Sequence, residues 1–169
     1  MSNLSDLLAT LHQKETLITF MNEHPGSFEE ALALAETDEQ PQCWRACWML
    51  FHTMVDNDER IQPKISRLIE VLPDKEDGHK RELIKILSRM ELDDDQEGKL
   101  FDICMTIWES VKKIPSVRMM AFRLIVKVIS KYPELKSELT YMMEPQYTDS
   151  LSPGIRNSVV RQFDSIIKP

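Results

Sequence analysis

Glycine is scarce in this chain, with 4 residues in 169, and aromatic residues make up only 7%. A β-sandwich or barrel draws on many turn glycines and on strands rich in β-branched and aromatic residues, so those classes are excluded. Cysteine is sparse and odd in number: Cys43, Cys47 and Cys104. That argues against a disulfide framework and makes a reducing cytoplasm the expected compartment. Long apolar runs are missing, and nothing approaches the roughly 18 residues a membrane helix needs. The opening MSNLSDLLATLHQKE lacks the basic start and continuous apolar stretch of a signal peptide. No membrane partner is therefore expected.

Catalytic signatures are lacking as well. Nothing matches G-x-S-x-G, a P-loop, G-x-G-x-x-G or H-E-x-x-H. His12, His24, His52 and His79 fall in four separate segments, none with a nucleophile beside it. The all-helical fumarase-type lyases need a Ser-and-Lys loop that this short chain does not have. The sequence predicts no enzyme and no cofactor.

What is present is an ordinary soluble composition, 42% apolar and 29% charged, and an arginine that returns at a nearly fixed interval. Arg45, Arg81, Arg118 and Arg156 are 36, 37 and 38 residues apart. Each opens an apolar run: RACWMLFHTM, RELIKILSRM, RMMAFRLIVKV and RNSVVRQFDSI. Three residues on come Trp48, Ile84, Ala121 and Val159, and six on come Phe51, Leu87, Leu124 and Gln162. Ten on come Val55, Glu91, Val128 and Ile166. Such spacings share one helix face, so each column reads as core. Pro41, Gly78, Pro115 and Ser152-Pro153 mark the helix starts.

Second helices lie between. Ile61, Ile65, Leu68, Ile69 and Leu72 form one stripe; Leu100, Ile103, Cys104, Ile107, Trp108 and Val111 another; Leu135, Leu139 and Met142 a third. The first forty residues fit helices at about 4–12, 14–24 and 27–36. A repeat of this length means stacked helix pairs, because one pair cannot bury its own apolar face.

The pattern resembles the HEAT repeat family of armadillo-type solenoids. PSVRMMAFRLIVKV at 115–128 is similar to that family's first helix and IQPKISRLIEVL at 61–72 to its second. The resemblance implies an all-α right-handed superhelix of about four to five helical hairpins, in a single domain spanning 1–169. Its parts are an atypical acidic cap repeat at 1–40, repeats at 41–76, 77–114 and 115–151, and a capping helix at 152–169. It further implies that the repeated arginine bonds to loop carbonyls or to an Asp of the adjoining repeat. Two departures stand out. Gly78-His79-Lys80 replaces the usual Asp-x-x-Val start, and Arg123 and Arg161 stand where earlier repeats have Leu50 and Ile86.

Two apparent metal sites fail on spacing. Cys43 and Cys47 share a helix face, but His52 points elsewhere and no second pair completes four ligands. The run Asp93-Asp94-Asp95-Gln96-Glu97-Gly98 imitates an EF-hand start, yet its twelfth position is Cys104 rather than Glu. Directly before an apolar helix, those acids read as caps.

The function expected is a non-catalytic protein-interaction or scaffold module, cytoplasmic and monomeric, binding another protein along its second helices. Off the apolar stripes, that surface presents Lys64, Arg67, Glu70, Lys99, Asp102, Thr106, Lys136 and Tyr141. The alternative is a nucleic-acid-binding or DNA-repair protein, similar to the HEAT-like alkylpurine glycosylases, with phosphate held by Arg123, Lys127, Lys131 and Arg161 at the basic C-terminal end. Charge bears on both. Residues 1–40 carry a net −7, and residues 111–169 carry +5. An acidic whole is a poor general nucleic-acid binder, though a basic end still suits phosphate or an acidic partner.

Overall fold

A computed structural model describes residues 3–10 and 13–168. Among the described residues the chain is all-α, and it divides into two compact units, residues 1–92 and 93–169. The division falls inside the segment 77–114 that the periodicity groups as one repeat.

The first unit begins with α1 (Leu4–Thr10), α2 (Lys14–Glu23) and α3 (Ser27–Ala35). The first helix, expected over 4–12, is described to Thr10; Leu11 and His12 lie outside the described residues. Next come α4 (Gln42–Thr53), α5 (Ile65–Val71) and α6 (Asp77–Leu87). Helix α4 packs against both α3 and α6. The second helix expected at 61–72 is a composite. Single 3₁₀ turns at Gln62–Lys64 and Leu72–Asp74 flank α5, each opened by a proline that lacks the N–H a continuous helix would need.

Two ties close this unit. The loop after α4 is folded around Asp58, which accepts from the Val55 and Arg60 amides at 3.1 Å each and from the Arg60 side chain at 2.6 and 2.9 Å. The Arg60 guanidinium holds the Asp58 carboxyl down at about 2 and lies 3.5 Å over the Phe28 ring. Asn57 takes the left-handed conformation (φ 51°), which asparagine tolerates, and donates its amide to Arg89 O at 2.8 Å. At the end of α3, Lys75 Nζ donates to Glu36 O at 2.8 Å and Thr37 O at 3.0 Å, and to Asp38 Oδ1 at 2.7 Å. His79 Nε2 donates to Ala35 O at 2.9 Å. Lys75, ahead of α6, and His79, in its unusual 78–80 start, thus satisfy carbonyls at and just past the C-terminus of α3.

The second unit holds α7 (Asp94–Glu109), α8 (Pro115–Lys131), α9 (Lys136–Met142), α10 (Pro145–Thr148) and α11 (Pro153–Ile167). Asp93 and Gln96 form a reciprocal capping box at 2.8 and 3.1 Å, the role read from the acidic run. The proline-marked starts of α8 and α11 place Pro115 and Pro153 in the first turn. Helix α8 packs against α7 and α11 and buries Val117, Ala121, Phe122, Leu124, Ile125, Val128 and Ile129.

Candidate partner-binding surfaces

The residues expected to meet a partner lie on α5 and the turn before it in the first unit, and on α7 and α9 in the second. On α5, Ile65, Leu68 and Ile69 are buried, while Arg67 and Glu70 are exposed. Glu36, just past α3, accepts from Lys64 at 3.3 Å and Arg67 at 3.4 Å, and Arg67 also reaches Glu70 at 2.8 Å. Lys64, Arg67 and Glu70 are therefore brought together in one surface network. In the second unit α7 buries Leu100, Cys104, Ile107 and Trp108 and exposes Lys99, Asp102 and Thr106. Lys99 pairs with Asp95 at 2.7 Å. Helix α9 exposes Lys136 and Tyr141, whose hydroxyl is bonded to that of Tyr147. That bond pushes the Tyr147 hydroxyl up to about 12.

The basic set lies on two helices. Arg123, Lys127 and Lys131 are exposed on α8, and Arg161 is exposed on α11, which packs beside it. Lys131 is engaged by Glu97 at 2.5 Å, which raises its pKa above the usual lysine value. Leu50 and Ile86, at the corresponding places in earlier repeats, are fully buried.

The thiols are core residues. Cys43, Cys47 and Cys104 are all buried, and burial pushes each thiol up, away from the reactive thiolate. Burial pushes His52 down. Among the described residues, no three His, Cys, Asp or Glu side chains are grouped to hold a metal ion.

The arginine column does not act as one. Arg118 is almost wholly buried, donating from Nε to Trp108 O at 3.0 Å and from its terminal nitrogens to Tyr147 O at 2.6 Å and Ser150 Oγ at 3.4 Å. It ties the end of α7 to α10, and Trp108 Nε1 bonds Met142 O at 3.0 Å below it. Arg45 donates to Leu8 O at 2.5 Å and Ala9 O at 3.4 Å, and Arg156 pairs with Asp149. Arg81 differs: it meets its neighbour Glu82 at 2.9 Å. In that repeat Arg89 ties the carbonyls, donating to Phe51 O at 3.0 Å and Met54 O at 3.4 Å. A family model described as a HEAT repeat domain matches residues 4–166. The chain belongs to the HEAT repeat family. No curated protein and no solved structure matches it.

A HEAT repeat domain is in general a protein-interaction scaffold and typically non-catalytic. Among the described residues no helix is long and apolar enough to cross a membrane. One HEAT surface escaped the sequence reading. Trp48 was expected in the core beside Ile84, Ala121 and Val159; those three are buried, but Trp48 is only half-buried. Phe51 is half-buried too, whereas Leu87 and Leu124 are buried. Val55 is 64% exposed because α4 stops at Thr53, and Glu91 likewise follows the end of α6. The available signal was the aromatic spacing 44, 48, 51 beside the small residues Cys43, Ala46 and Cys47.

Proposed function

We propose that this HEAT repeat chain is a non-catalytic, cytoplasmic and monomeric module that binds another protein without a cofactor. Its support is one recurring feature: on α5, α7 and α9 a buried apolar stripe anchors the helix while exposed polar residues stand on the opposite side. Side chains fixed this way meet a partner with little ordering left to do. Lys64, Arg67 and Glu70 form one such contact group, and Lys99, Asp102, Thr106, Lys136 and Tyr141 the other. Replacing Arg67, Asp102 or Lys136 singly with a photo-reactive residue and irradiating cells tests the reading. Discrete protein adducts are expected. Adducts to nucleic acid alone would overturn it.

The second reading, phosphate binding at Arg123, Lys127, Lys131 and Arg161, draws on the four exposed cations of α8 and α11. It weighs less because Glu97 already occupies Lys131. Duplex and single-stranded DNA titrated at rising salt would separate the two, since phosphate contacts weaken steeply as salt rises.

A further inference from the structure

Helix α4 distributes its side chains against the usual order of size. Its fully buried positions hold Cys43, Ala46, Cys47, Met49 and Leu50, while Trp44, Trp48 and Phe51 remain half-exposed. Aromatic rings ordinarily carry the largest share of core burial, so leaving three at the surface forgoes stability. At i, i+4 and i+7 they form a single stripe.

Helix α6 supplies the complement. Its half-exposed cations are Arg81 and Lys85, continued past its end by Arg89, and α6 packs on α4. Two cations lean onto the aromatic stripe: Lys85 Nζ lies 5.5 Å and Arg89 Cζ 5.3 Å from the Phe51 ring centre. Beneath them sits Glu82, only 1% exposed, accepting from Arg81 Nε at 2.9 Å and from Lys85 Nζ at 3.1 Å to both oxygens. A buried carboxylate is costly to desolvate. Here it fixes two half-exposed cations side by side, so their placement precedes any ligand.

We propose that the joined stripes of α4 and α6 dock an acidic, amphipathic segment of a partner protein, its carboxylates on Arg81 and Lys85 and its apolar side chains on Trp48 and Trp44. The proposal rests on the reading of the chain as a protein-binding module, and adds a site on first helices rather than second ones. Tryptophan and arginine are the residue types that dominate interface energies, and paired positive charge selects acidic sequences. A single-stranded nucleic acid fits less well. Base stacking needs open ring faces, but Phe51 already carries two cations and Trp48 meets His52 edge-on at 4.8 Å.

The test uses the full chain and four labelled probes followed by fluorescence anisotropy. These are a helical Glu/Leu peptide, its Lys/Leu counterpart, a Glu/Ser peptide without apolar residues, and oligothymidylate. The Glu/Leu peptide should bind best, more weakly as salt rises. Binding should fall at least about tenfold in Arg81→Gln and in Trp48→Ala, and recover in Arg81→Lys. Circular dichroism checks that each variant is folded; Trp48→Phe, which keeps a ring, substitutes if Trp48→Ala is not. Equal binding of the Lys/Leu or Glu/Ser peptide, tighter binding of oligothymidylate, or no loss in Arg81→Gln would each overturn the proposal, as would no binding at all. If the Glu/Leu peptide fails while Arg67 and Lys136 positions still trap proteins by photo-crosslinking, only this face is wrong. If both fail, the protein-binding reading fails with it.

Discussion

Local surroundings decide more here than residue type or repeat column. Arg118 and Arg81 occupy the same place in successive repeats, yet Arg118 is buried among helix-end carbonyls and Arg81 lies half-exposed on Glu82. Arg118→Ala should therefore cost about 2–4 kcal/mol, because three acceptors lose a charged donor and a cavity opens beside Trp108. Arg81→Ala should cost less than Arg118→Ala, because Lys85 still pairs with the buried Glu82 carboxylate after Arg81 is removed. Urea unfolding of the two variants checks the ordering, and equal losses would restore a uniform structural column. The recurrence was legible in the sequence, but the role was not, because it depends on which carbonyls each neighbouring loop leaves unpaired. Trp48 carries the same lesson: periodicity gives a face, and only packing against α6 decides how deeply it is buried. A second residue-scale consequence follows from His79. Burial, reinforced by the nearby Lys75, holds its imidazole down at about 4 against an ordinary 6.5, with the bond to Ala35 O and, more weakly, Asp38 opposing. The folded state thus keeps His79 neutral while the unfolded chain takes up a proton. Stability should fall as pH drops from about 6.5 to about 4, by about 3 kcal/mol, and this contribution should change no further below that. His79→Gln, which keeps a donor for Ala35 O without titrating, should flatten that part of the pH profile of the urea midpoint. An unchanged slope would assign it to other groups.

At the scale of elements, starts were easier to read than interiors. Pro115, Pro153 and the acidic run before α7 stand where the sequence placed them, because proline at the first turn and an Asp-x-x-Gln box act locally. The second helices were legible as apolar stripes but not as broken ones. Pro63, Pro73 and Pro133 each open a 3₁₀ turn, so α5 and α9 keep only seven residues each. The tie between α3 and α6 through Lys75 and His79 joins residues some 38 to 44 apart and leaves no periodic trace. The α4–α6 surface was hidden for a related reason: each stripe is visible alone, and their juxtaposition needs the packing of two helices. The capping box gives a local prediction. Asp93→Ala should destabilise the chain by about 1 kcal/mol, and Asp93→Ser by less, since serine also caps. Thermal melts compare them directly, and an Asp93→Ala melt identical to the parent would show that α7 is held by packing alone.

On the scale of the whole molecule, charge is the property that the helices do not average out. Residues 1–92 carry the full net −7, while residues 93–169 sum to zero by opposing an acidic start to a basic remainder. The most acidic stretch, residues 1–40 at −7, and the most basic, residues 111–169 at +5, belong to different units. Two molecules in solution therefore present each other with complementary segments. A contact between unlike surfaces is heterologous and need not close into a dimer. Its strength is limited, because the basic stretch spends part of its charge on an acid outside it, Lys131 on Glu97. Exposed pairs contribute about 0–1 kcal/mol each and are screened over roughly 10 Å at 0.1 M salt. The chain should be monomeric at physiological salt and show weak, concentration-dependent association only at low ionic strength. Light scattering across a salt series measures this. Arg123→Glu combined with Arg161→Glu should abolish the low-salt association, since both cations are exposed and lie on packed neighbouring helices. An oligomer that persists at high salt, or in that double variant, would instead place an apolar surface such as the α4 aromatic stripe at the contact.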